Sequence, residues 1–63
     1  MADAATDSGP RNRLLQAAAE LFAARGYDGT AVRGIVASAG TNLNAVNYYF
    51  GSKRALYLEV MRS

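Results

Sequence analysis

Hydrophobic periodicity divides the chain into an unpatterned leader and a patterned body. Residues 1–10 mix small, acidic and turn-forming residues with no repeat of either helical or strand period, which predicts a disordered arm. From about residue 11 the pattern changes. Leu14, Ala18, Leu21, Phe22 and Arg25 follow i, i+4, i+7, i+8 and i+11, and Leu15 with Ala19 widens the apolar stripe, so the spacing predicts a first helix. Pro10 is tolerated near its first turn, while Gly26 can take the left-handed conformation that closes a helix, with Tyr27 placed to pack back on the last turn.

Asp28 and Gly29 read as a turn, after which Thr30 is expected to cap a second helix whose Val32, Ile35, Val36 and Ala39 keep i, i+3, i+4, i+7 spacing. Gly34 lies inside that helix and costs about 1 kcal/mol relative to alanine. Gly40 interrupts the chain, and Thr41 and Asn42 are good turn and cap residues. Residues 43–50 then form a short third segment with Val46 and Phe50 toward the core. Gly51 and Ser52 end it and cap a fourth helix, in which Leu56, Tyr57, Val60 and Met61 form paired rows. An apolar stripe that reaches Met61 without a glycine or proline stop reads as a helix cut before its natural end, so a fragment of a longer protein is expected. The elements together predict an all-α fold: a three-helix, homeodomain-like helix-turn-helix domain over residues 11–63, plus the start of a fourth helix. The helix-turn-helix itself is expected at residues 31–50.

Composition narrows the chemistry. A chain of 63 residues supports one small core, and with no cysteine and no histidine it can form no disulfide, thiolate metal site, cysteine nucleophile or Ser-His pair. No cofactor or metal is expected, and an enzyme is not. Glu20 and Glu59 are the carboxylates such a rival would use, but they stand on separate segments. The net charge of +2 conceals an asymmetry: Asp3 and Asp7 lie in the leader, while all seven basic residues lie in the body against Glu20, Asp28 and Glu59. A basic body suits a polyanion. The acidic leader does not suit a groove-reading arm, which would be rich in arginine. It also lacks the apolar core of a signal peptide, and no stretch approaches the roughly 20 apolar residues needed to span a bilayer. A cytoplasmic protein without a membrane role is expected.

The outer face of the third segment carries the functional signal. Projected as a helix, Asn44, Asn47 and Tyr48 fall opposite Val46 and Phe50, and residues 43–50 contain no charged side chain. An ordinary solvated face would hold Glu, Lys or Arg. Amides and phenols can instead read base edges and grip phosphates without adding negative charge, and asparagine can bond adenine N6 and N7 together. Asn42 reads equally well as a cap. Asn44 and Asn47, away from the predicted helix end, read as base or phosphate contacts. Lys53 and Arg54 occupy the first turn of the fourth helix, where the macrodipole disfavours cations, so they form either a phosphate clamp or a solvated basic pair. Arg33, Arg11 and Arg13 are weaker candidates of the same kind. The rival reading is a helical protein-interaction module anchored by Tyr48, Tyr49 and Tyr57.

The run LLQAAAELFAARGYDGTAVRGIVASAG followed by NAVNYYFGSKRALYLEVM resembles the N-terminal DNA-binding domain of the TetR/AcrR family of bacterial transcriptional regulators. The resemblance implies that Thr30, Tyr48, Tyr49 and Lys53 hold phosphates and that Asn42, Leu43, Asn44 and Asn47 occupy base-contacting positions. It further implies a ligand-responsive repressor acting as a homodimer on near-palindromic double-stranded operator DNA. The C-terminal domain that binds a small-molecule effector and dimerises would lie beyond these residues. Thr41, Asn44, Asn47 and Tyr49 depart from the residues usual at their positions, and these departures fall on or beside the reading face. They bear on which operator is read.

Overall fold

The computed structural model describes residues 9–62, and every regular element among them is helical. The four helices are α1 (Pro10–Arg25), α2 (Val32–Ala39), α3 (Ala45–Tyr49) and α4 (Lys53–Arg62). The expectation for residues 1–10 lies outside the described residues except at its end, where Gly9 caps α1 and Pro10 is its first residue. Proline fits there because its missing N–H would have had no helical partner.

Packing follows the apolar stripes. Leu14, Ala17, Ala18 and Phe22 of α1 meet Ile35, Val36 and Ala39 of α2, Ala45 and Val46 of α3, and Leu56 of α4 in one core. The long α1 is the platform, in contact with both α2 and α4, while α3 bridges between those two. Alanines at 17 and 18 keep α1 thin where the other helices approach. A second apolar layer covers this core. Phe22 stacks on Tyr27 at 5.8 Å between ring centroids, and Tyr57 meets each of them edge-on at 5.0 Å.

The turn between α2 and α3 is set by backbone chemistry. Gly40 adopts φ 72° and ψ 32°, the left-handed region that a side chain disfavours. Its N–H bonds to the Ala37 carbonyl while the Thr41 N–H reaches the Val36 carbonyl at 2.9 Å, the two bonds of a Schellman closure. One expectation needs correcting here. The third helix is shorter than residues 43–50, because the Asn42 carboxamide oxygen accepts the Asn44 N–H at 3.0 Å and holds residues 42–44 as a turn. Of the apolar residues of α4, Leu56 is buried, whereas Met61 is 59% exposed and Leu58 49%.

Thr30 is also placed otherwise than expected. It does not cap α2, whose N-cap is Ala31 with no side-chain bond. Instead its hydroxyl, in a residue only 2% exposed, lies 2.8 Å from the Gly26 carbonyl oxygen and 3.1 Å from that of Leu21. Its one O–H thus lies within reach of a carbonyl inside α1 and of another just past its end, tying the connection back to that helix. The reason is the tight approach of the connection to α1: a Cβ at Gly29 would be driven into the Arg25 carbonyl.

Candidate nucleic-acid interface

Because Ala45 and Val46 face the core, the remaining positions of α3 are forced outward. Asn44, Asn47 and Tyr48 are exposed together, Tyr48 at 81%, and Asn42 and Leu43 project from the turn just before them. The Tyr48 and Tyr49 rings pack edge-to-face at 4.8 Å, so each restrains the other although neither is in the core. A shallow cleft of about 230 Å³ lies between the turn and these rings, lined by Asn42, Asn44, Ala45, Tyr48 and Tyr49. Asn44 is the N-cap of α3 rather than a mid-helix residue, and its side chain makes no cap bond. Its amide is thus displayed at the start of the helix.

The chain leaves α3 at once. Gly51, with φ 98°, turns it into α4, where the Ala55 N–H bonds the Ser52 hydroxyl at 3.0 Å. That is the cap expected of Ser52. Lys53 follows directly, and its ammonium lies over the Tyr27 ring, 4.2 Å from the centroid. The lysine is therefore seated: Tyr27 is held by Phe22 and Tyr57, and its π-face offsets part of the unfavourable charge–dipole interaction at the start of α4. Arg54 and Arg33 are exposed on the first turns of α4 and α2.

The other candidates have structural occupations. The Arg13 Nε–H donates to the Ala39 carbonyl at 3.0 Å, placing a cation at the C-terminal end of α2 where the dipole favours it. Arg11 covers the Phe50 ring at 4.9 Å and pairs with Glu59 at 3.5 Å, tying the start of α1 to the end of α3 and to α4. Thr30 is the outlier among the sequence-predicted residues, since its hydroxyl is turned inward. Tyr57, an anchor in the protein-interaction reading, sits in the aromatic layer with Tyr27 rather than beside Tyr48.

The structure thus brings Asn42, Leu43, Asn44, Asn47, Tyr48 and Tyr49 onto one continuous surface, with Lys53 at the start of the next helix. Sequence reasoning missed the seat that Tyr27 gives Lys53. Tyr27 was legible as a packing residue after a helix-ending glycine, but nothing local links it to a lysine 26 positions later. Among the described residues no three His, Cys, Asp or Glu side chains gather as a metal site, and no helix is long and apolar enough to cross a membrane.

Comparison with known proteins agrees with the helix-turn-helix reading. The family model described as "Bacterial regulatory proteins, tetR family" matches residues 14–60. The HTH-type transcriptional repressor KstR2 of Rhodococcus jostii (strain RHA1) is 40% identical over 60 residues, covering 95% of this chain and 29% of that protein. The HTH-type transcriptional regulator RutR of Escherichia coli (strain K12) is 38% identical over 55 residues, 87% of this chain and 26% of its own length. The HTH-type transcriptional dual regulator CecR of Shigella flexneri is 46% identical over 48 residues, 76% of this chain and 21% of the relative. The chain therefore spans less than a third of each of these relatives. No solved structure matches it significantly.

Proposed function

The chain belongs to the TetR family of bacterial regulatory proteins, and on that premise we propose that it is the sequence-specific DNA-binding module of a transcriptional regulator. The observation that carries the reading is the uncharged amide and phenol surface of α3, displayed outward beside a basic helix start. In this reading α3 enters the major groove, Asn44 and Asn47 meet base edges with Asn42 and Leu43 beside them, and Tyr48 and Tyr49 hold the flanking phosphates. Lys53 neutralises a further phosphate, and Arg33 contributes from α2. The buried hydroxyl of Thr30 takes a supporting role, fixing the α1–α2 connection.

The parent protein is proposed to be a cytoplasmic, ligand-responsive repressor; of these properties, repression is the one shared with the name of the Rhodococcus relative. It would act as a homodimer on a near-palindromic operator, with dimerisation and effector binding supplied by a further domain. No catalytic role is assigned to these residues. The protein-interaction reading is not favoured, because Tyr57 is withdrawn from the surface that carries Tyr48 and Tyr49.

Salt titration tests the proposal. Affinity of the full chain for a selected duplex should fall steeply as salt rises, in proportion to the phosphates neutralised. Binding that ignores salt, or preference for no duplex sequence, overturns it.

A further inference from the structure

Leu43 is a large apolar side chain for which the fold has no use. It is 52% exposed and stands outside both the buried core and the half-buried residues packed on it. Its backbone is nevertheless well held. The Asn44 N–H bonds the Asn42 side-chain oxygen and the Ala45 N–H bonds the Asn42 carbonyl, each at 3.0 Å, so Leu43 is the apex of a turn closed on both sides. A lone exposed leucine is ordinary on a protein surface. This one is the aliphatic member of a short stretch whose other exposed side chains are amides and phenols, Asn42, Asn44, Asn47 and Tyr48 among them.

Major-groove base edges are hydrogen-bonding groups with one apolar exception, the C5 methyl of thymine. Resting on the DNA-binding reading above, we propose that Leu43 is a specificity-determining residue that packs against a thymine methyl in each operator half-site. Asn44 and Asn47 would read hydrogen-bonding edges on either side of it. The group recognised is the methyl and not the whole base, so 5-methylcytosine, which carries the same methyl at the same ring position, should be preferred to cytosine there.

The experiment begins with duplexes selected from random sequence by the full chain. Each thymine of the preferred site is then replaced in turn by uracil, which deletes only the methyl and leaves the hydrogen-bonding edge intact. Uracil at one thymine position of each half-site should weaken binding about fourfold, the worth of one buried methyl group. Leu43→Ala should bind the thymine and uracil duplexes equally, whereas Leu43→Met, apolar and of similar volume, should keep the discrimination. Unchanged thermal unfolding of both variants is expected, because the side chain lies outside the core. Tolerance of uracil at every position overturns the proposal, and so does a uracil penalty that survives undiminished in Leu43→Ala. In both of those cases the unsubstituted chain still binds DNA. Failure of that chain to bind any duplex is a different result, and it removes the DNA-binding reading itself.

Discussion

Asn47 and Lys53 separate the two kinds of contact that a duplex offers. An amide on an exposed helix face can discriminate between bases, whereas an ammonium seated on Tyr27 sees only charge. Asn47→Ala should cost about 1–3 kcal/mol on the preferred site and relax selection at one base position, measured by binding to a panel of single-base variants. Lys53→Ala should weaken every sequence alike and lower the slope of log affinity against log salt by about 1. Uniform weakening by Asn47→Ala would move that residue to the phosphate class. Thr30 gives a third, contrasting case. Thr30→Val keeps the volume but removes the hydroxyl that bonds back to the Leu21 and Gly26 carbonyls, and should lower stability by about 1–3 kcal/mol in chemical denaturation. Its affinity for the preferred duplex, measured where both proteins are fully folded, should match the parent's; a uniform loss of affinity across sequences would return Thr30 to direct phosphate contact.

At the scale of elements, two glycines of similar appearance in the sequence have opposite mechanical roles. Gly34 is exposed inside α2 and a Cβ there meets nothing within 4 Å, so Gly34→Ala should stabilise the fold by about 0.5–1 kcal/mol through helix propensity. Gly29→Ala should destabilise it, because the added carbon runs into the Arg25 carbonyl in a connection already pinned by Thr30. Thermal melts of the two variants moving in the same direction would contradict this assignment. The same contrast explains how far the elements were legible. Gly26, Gly40 and Gly51 all carry positive φ and mark helix ends that the chain announces locally, as does Ser52 by its cap. The shortening of α3 was not announced, since Asn42 can either cap a helix or close a turn before one, and only the packing of Ala45 and Val46 decides. Thr30 and Tyr27 were misplaced or half-read for a related reason. Their partners are carbonyls of an earlier helix and a lysine of a later one, contacts that no local spacing encodes.

For the molecule as a whole, the size of the reading surface limits what one copy can do. α3 has five residues, and the exposed face of turn and helix offers three amides, one leucine and a tyrosine pair. With contacts that few, a single head should bind weakly and discriminate modestly. Two heads joined rigidly convert the second contact into an intramolecular event, so affinity rises without any new kind of contact, but only while the geometry lets both engage. If the parent is a two-fold dimer, its half-sites must present the same groove face about one helical turn apart, or a multiple of it. Inserting about 5 base pairs between the half-sites rotates one to the far side of the duplex and should reduce affinity to that of an isolated half-site. Inserting about 10 restores the face and should recover much of the loss, the remainder reflecting the longer span. Binding indifferent to the 5-base-pair insertion would mean that the heads act independently.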